Sequence, residues 1–326
     1  LPQAENNAMK KPLASLSLDL DNLWSYQRTH GDAGWESFPS YFDILIPRVL
    51  KLLADERLTI TWFVVGKDAD IPANVPYLRM IADAGHEIGN HSYMHEPWLH
   101  LYSKEQIVEE FRKTEEVLRA ATGQTPTVFR GPGFSFSGDV LRVLMERGYR
   151  ADCSTFPTFL GPLARLYYFA TARKFTDEEK QQRKQLFGSF SEGFRPLSSY
   201  EWQEGDSTLI ELPVTTMPLF RVPIHFSYLL YLASYSPQLS KLYFSMALKL
   251  CRLTRTEPSI LLHPLDFLGG DDLEELRFFP AMKMPAEKKL ALVRHYLGTI
   301  RSQFSCATIG RHAALTRPRS AKTLPG

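Results

Sequence analysis

What most constrains this chain is where its polar residues fall relative to its apolar runs. Short β-type runs alternate with amphipathic helical stretches. Run after run ends in a residue capable of chemistry: Asp19 and Asp21, then His91 and His95, Arg130, Asp152 and, far along the chain, His263. Alternation of strand and helix argues for a parallel sheet with right-handed crossovers. In α/β barrels and open α/β sheets, the C-terminal ends of the strands gather the active site. That distribution is stronger evidence than any single motif.

The first run, Leu13 to Leu18, leads into Asp19-Leu20-Asp21. Residues two apart on a strand share a face, so both acids can enter one pocket. The stretch from Asn22 to Pro39, rich in Trp, Tyr, His and Gly, is expected to be a loop that shapes a groove or merely connects. Helices are expected over Tyr41–Asp55 and Pro76–Ala84, and from a Ser103–Gln106 capping box to Thr122. Gly138–Arg147 and Ala286–Phe304 complete this set. Strands are expected over Thr59–Val65, Thr127–Arg130, Tyr149–Asp152, Leu209–Pro213 and Ser259–His263, with a last one near Ala307–Ile309. After Asp152 the rhythm breaks into the aromatic stretch Phe156–Ala172 and a charged helix over Lys174–Lys184. Pro237 divides Leu219–Leu253 into two helices, which could be packed in the core or could seat the protein on a bilayer or lipid tail.

His91 and His95 are four apart, so one helical turn would aim both imidazoles the same way. Two converging imidazoles are half of a common zinc site, although surface helices carry such pairs by chance. The carboxylates at another strand end raise the odds. His86, just before Glu87 on its strand, is expected to face the helical layer, and His30, His100, His225, His295 and His312 find no partner in spacing and read as core or surface residues.

With 326 residues and a net charge of +2, the chain can bury a sizeable core and shows no footprint for nucleic acid. Cys153, Cys251 and Cys306 are too scattered for a disulfide framework or a Cys-x-x-Cys site. No apolar run reaches the roughly 18 residues needed to span a bilayer. Leu1–Lys11 shows no secretory leader, so a cytoplasmic or peripheral-membrane location is expected, with a removed targeting segment left open.

Taken together, these residues resemble the polysaccharide deacetylases of the NodB-homology type, carbohydrate esterase family 4. Asp19-Leu20-Asp21 is similar to the first motif in an atypical Asp-x-Asp form. Gly85-His-Glu-Ile-Gly-Asn-His-Ser-Tyr-Met-His95 is similar to the second motif. Arg130-Gly-Pro-Gly133 resembles the third, Asp152 with Ser154 and Phe156 a degenerate fourth without its Trp, and Leu261-Leu-His263-Pro the fifth. The resemblance implies an α/β fold, a distorted (β/α)7-type barrel over residues 13–310. Aromatic-rich helical insertions would lie at about 156–205 and 217–256, with flexible tails at 1–12 and 311–326. It implies Asp21, His91 and His95 as ligands of one divalent metal, by default zinc, with iron or cobalt also suited. Asp19 would be the general base, Arg130 would hold it, and His263 would be the general acid. Glu211 is a candidate for tuning His263, or else a structural acid.

The implied reaction removes an N-acyl group, acetyl or formyl, from an amino sugar in a polysaccharide or lipid-linked saccharide. Peripheral membrane contact through 219–253 would suit the lipid-linked case. A hydrolase of a small non-sugar amide or imide on the same fold is the alternative. A non-catalytic carbohydrate-binding relative is the other, although base, ligands, arginine and acid are all present.

Overall fold

The computed structural model describes residues 11–161 and 190–325. Its central strand is β1, Leu13–Leu20. Leu16, Leu18 and Leu20 join the large apolar cluster that the surrounding helices complete. The alternate residues Ser15, Ser17 and Asp19 are equally buried but hydrogen-bond to groups inside the sheet. One strand thus presents an oily face to the helices and a polar face to the interior.

The other strands are β2 Thr61–Val64, β3 Glu87–Asn90, β4 Val128–Phe129, β5 Ala151–Asp152, β6 Tyr200–Glu204 and β7 Ser207–Glu211. They are followed by β8 Ser259–Leu262, β9 Ser305–Ala307 and β10 Ala321–Thr323. Their order is β10-β6-β7-β5-β4-β3-β2-β1-β8, with β9 also on β1, and every pair is parallel except the β6–β7 hairpin. The segment leaving β7 links the two sides of this curved sheet. Leu212 N–H donates to Asp152 O, Val214 N–H to Thr155 O, and Thr215 N–H to Ser259 O, each at 2.9 Å. The distorted (β/α) barrel is therefore β8-β1-β2-β3-β4-β5-β7, with β6 and β10 outside it.

The helices are α1 Leu23–His30, α2 Phe42–Asp55, α3 Gly66–Ala69, α4 Val75–Asp83, α5 Lys104–Thr122 and α6 Gly138–Glu146. They continue as α7 Phe226–Tyr235, α8 Pro237–Leu253, α9 Ala286–Gln303 and α10 Ile309–Leu315. In α2 the buried Phe42, Leu45, Ile46, Val49, Leu52 and Leu53 make the stripe that fixes its packing on the strands. α5 begins at the expected capping box, with Ser103 and Gln106 each satisfying the other's backbone.

Two expectations are corrected. The stretch after Asp21 is not merely a loop. Asn22 caps α1 through its side chain, and Gly31 ends the helix in the left-handed conformation. Residues 311–325 are not a flexible tail. α10 buries Ile309 and Ala313 with Phe63, Val128 and Ala151 inside the barrel, at the N-terminal end of its strands. Ile309 N–H donates to Thr61 Oγ1, Gly310 N–H to Glu87, and His312 Nδ1 meets Ser15 Oγ at 2.9 Å. β10 then pairs with β6. A seven-residue helix carries too little periodicity to read, and Thr61, Glu87 and Ser15, to which it bonds, lie more than 200 residues away in sequence. The expected charged helix over Lys174–Lys184 lies outside the described residues, as does the first ten-residue stretch.

Candidate active site

β1 ends in Asp19 and Asp21, and the loop leaving β3 carries His91 and His95. These histidines do converge, with ring centroids 5.1 Å apart. A helical turn is not the device. Ser92 and His95 both adopt positive φ, 59° and 53°, and the loop folds back on itself. Non-glycine residues hold that conformation only where their surroundings over-determine it. Here Gly66 N–H donates to Ser92 O, Lys67 N–H to Tyr93 O, and Glu110 of α5 accepts the N–H groups of both Tyr93 and Met94. Arg28 of α1 clamps the far side, donating to Met94 O and pairing with Glu96 at 2.6 Å.

Asp21, His91 and His95 offer ligand atoms within 4.8 Å of one another. Asp21 Oδ1 lies 3.0 Å from His95 Nε2 and 3.4 Å from His91 Nε2. His91 Nδ1 is 2.7 Å from the carbonyl oxygen of Arg130. A carbonyl only accepts, so the His91 proton sits on Nδ1 and a neutral ring turns its Nε2 lone pair toward Asp21. Asp21 Oδ1 is buried and finds no conventional hydrogen-bond partner among the described residues. Two lone pairs facing each other across this gap repel unless a proton or a cation lies between them. Burial alone would raise the Asp21 carboxyl, but His95 and then His91 outweigh it and hold it well below the usual range. In His91, burial is overcome by Asp19 and Asp21, and the ring's pKa is raised. The residues fit a divalent cation.

Asp19 is held from below. Arg130, fully buried, donates through Nη1 to Asp19 Oδ1 at 2.6 Å and to Ser17 Oγ at 2.9 Å. Its Nε–H donates to Cys153 O, and its guanidinium lies 4.5 Å over the ring of Phe63. Phe63 in turn fills the space above Gly89, where an added Cβ would sit 2.5 Å from the ring. The expected Asp19–Arg130 contact is present.

β8 is paired to β1 with Leu262 opposite Leu18, so His263 emerges beside Asp19. Its partner is not Glu211. Glu211 accepts from Thr155 N–H, Thr155 Oγ1–H and Trp202 Nε1–H, and shares its burial with Asp152. Burial and then the Asp152 charge push the Glu211 carboxyl well up. What His263 touches instead is Ser227 Oγ, 3.0 Å from its Nδ1, and Asp266, whose Oδ2 accepts the His263 backbone N–H at 2.8 Å.

Sequence reasoning also passed over His225. Its ring is 6.1 Å from that of His263 and edge-on to Phe156, which stacks on Phe134 at 4.8 Å. These rings form an aromatic wall although the fourth motif lacks its Trp. Burial, and then His263, push the His225 imidazole down to about 3, so it is neutral at working pH. Asp68 was missed as well. It accepts from Asn22, Trp24 and Asn74 and so pins the turn that follows Asp21.

Residues 32–151 match the family model described as polysaccharide deacetylase. A peptidoglycan deacetylase of Helicobacter pylori is 30% identical over 149 residues, 44% of this chain and 50% of that protein. Over residues 32–151 the chain is thus similar to the polysaccharide deacetylases. The match ends before His263 and begins after Asp21, so the fold, not the matched segment, brings those two residues to the site. A peptidoglycan-N-acetylmuramic acid deacetylase of Bacillus subtilis is 33% identical over 105 residues, 32% of this chain and 39% of that protein. The chain spans about half the length, or less, of these curated relatives. Among solved structures, a candidate polysaccharide deacetylase from Mycobacterium smegmatis superposes with a TM-score of 0.61 at 18% identity, covering 95% of both chains. A 4-alpha-glucanotransferase from Thermococcus litoralis reaches 0.57 at 15% identity, covering 97% of this chain and 42% of that one. The fold therefore hosts more than one chemistry, and only the site can say which one operates here.

Proposed function

We propose that this chain is a metal-dependent hydrolase that removes an N-acyl group, acetyl or formyl, from an amino sugar in a polysaccharide or lipid-linked saccharide. The observation that carries the reading is Asp21 Oδ1, buried without a hydrogen-bond partner and faced by two imidazole Nε2 atoms. A divalent ion held by Asp21, His91 and His95 would supply an acidified water and an electrophile for the acyl carbonyl. Zinc is the default, and iron or cobalt suits the same donors. Asp19, anchored through Oδ1 to Arg130, presents its other oxygen to the cleft as the base that takes the proton from water. His263, entering from β8, gives a proton to the departing amine nitrogen. The Phe134–Phe156 stack would offer the acyl group an apolar wall.

Metal analysis of the purified protein, together with release of free amine from N-acetylated chitooligosaccharides and peptidoglycan fragments, tests this. Asp19→Asn is expected to keep the metal and lose on the order of 10²–10⁴ in kcat. Full activity in Asp19→Asn, or a protein that takes up no divalent metal, overturns the reading.

We also propose that α7 and α8 rest on an anionic lipid surface, which favours the lipid-linked class of substrate. Their inner faces are buried, whereas Tyr235, Leu239, Leu242, Met246 and Leu253 are exposed. Lys241, Lys249, Arg252 and Arg255 flank them, and no acidic residue occurs between 219 and 256. No helix of the described residues is long and apolar enough to cross a membrane, so the contact is peripheral. Flotation with phosphatidylglycerol vesicles is expected to carry the protein and to fail for Leu239→Glu/Leu242→Glu. Equal flotation of the two proteins rules the contact out.

A further inference from the structure

We propose that Ser227 and Asp266 form a relay that fixes the tautomer of His263 and supports its charge, making them positioning residues for proton delivery. The proposal rests on the reading of His263 as the acid. Three bonds define the geometry. Ser227 Oγ is 3.0 Å from His263 Nδ1 and donates to Asp266 Oδ1 at 2.7 Å. Asp266 Oδ2 accepts the His263 backbone N–H at 2.8 Å. A hydroxyl has one proton. Once Ser227 gives it to the carboxylate, its oxygen can only accept from the imidazole. Nδ1 therefore carries a proton in every charge state of the ring, and Nε2 is left as the atom that picks up and releases the working proton. A histidine with the opposite tautomer would place its fixed proton on the wrong nitrogen.

The supporting frame is specific to this chain's second half. Ser227 stands in the first turn of α7, and Asp266 closes the single 3₁₀ turn Pro264–Asp266 that starts at His263. Asp266 is 1% exposed and has no salt-bridge partner among the described residues. Lys289, buried on α9, donates to the carbonyls of Leu265 and Leu268 and so holds the turn in place. When Nε2 is protonated, the ring becomes a cation with a buried carboxylate one hydroxyl away, and the chain of bonds polarises to favour it. Glu211 cannot play this part, being occupied with Thr155, Trp202 and Asp152.

Two readouts test the relay independently. The first needs no substrate: ¹⁵N-histidine NMR of the full chain, with His263 assigned by His263→Gln, reads its tautomer. The Nδ1–H form is expected in the starting protein, and a mixture of tautomers in Ser227→Ala. Asp266→Asn keeps one acceptor for the His263 N–H and turns an amide NH₂ toward Ser227, whose proton is then free for Nδ1, so a mixture is expected there too. The second readout is kcat set against KM. Both variants should lose roughly 10-fold in kcat with KM little changed, and Ser227→Thr should restore most of the rate. An unaltered His263 tautomer in both variants overturns the relay, even if kcat falls. An altered tautomer in a protein that hydrolyses none of the acylated sugars leaves the relay standing and removes the functional reading instead.

Discussion

At Ile60 the backbone amide has one acceptor, and that acceptor is a histidine. Ile60 N–H donates to His86 Nδ1 at 3.1 Å, which requires a bare Nδ1. Burial pushes the His86 imidazole down to about 4 despite that bond. The unfolded chain takes up a proton near 6.5 and the folded one only near 4, so folding is favoured above 6.5. Stability is expected to fall as pH drops from 6.5 toward 4, by at most about 3 kcal/mol from this residue. Urea midpoints across that range, compared with His86→Asn, check it: the variant keeps an acceptor oxygen and should lose this part of the slope. Parallel slopes for the two proteins contradict it. From the sequence, His86 was expected to face the helical layer, and His225 and His312 to lack neighbours in spacing. The sequence could not show that Ile60, His263 and Ser15 would be brought to them, because each partner is supplied by a different strand or helix.

Among the elements, α5 shows how a helix far from the chemistry shapes it. Ser103 starts it cleanly, so its register is fixed, and Glu110 arrives under the His91–His95 loop to accept two of its amides. Glu110→Ala would free those amides and let His95 leave its positive-φ conformation. We expect divalent-metal affinity to drop about 10- to 100-fold with the helix content intact, as measured by calorimetric titration. Glu110→Gln, which keeps an oxygen, should bind nearly as well as the starting protein, and unchanged affinity in Glu110→Ala contradicts the assignment. Helices with an apolar stripe and a cap, such as α2 and α5, were legible in the sequence. So were β1, an alternating run that ends in Asp19 and Asp21, and β8, a short apolar run that ends in His263. α1 was not, because Leu23-Trp-Ser-Tyr-Gln-Arg-Thr-His30 has no stripe to read. The β6–β7 hairpin did carry a signal, the Gly205-Asp206 turn between alternating residues, and was only half read. Asp266 too was visible in principle, three residues after His263 with a proline between, the spacing of a capped turn. Ser227 was not, lying 36 residues earlier.

At the scale of the whole molecule, the alternate residues of β1 form a ladder through the barrel. Ser15 bonds to His312 at the floor, Ser17 and Asp19 to Arg130 in the middle, and Asp21 faces the two histidines at the mouth. The same strand is flanked by β2 on one side and by β8 and β9, from the far end of the chain, on the other. A strand that precedes β2 in the chain thus waits for β8 and β9 before its second edge is covered. Until residues 259–315 have been synthesised, the polar rungs of β1 lack a floor and one edge stays open for pairing with foreign strands. A nascent chain stalled before β8 would leave that edge bare and is expected to be a substrate for chaperones.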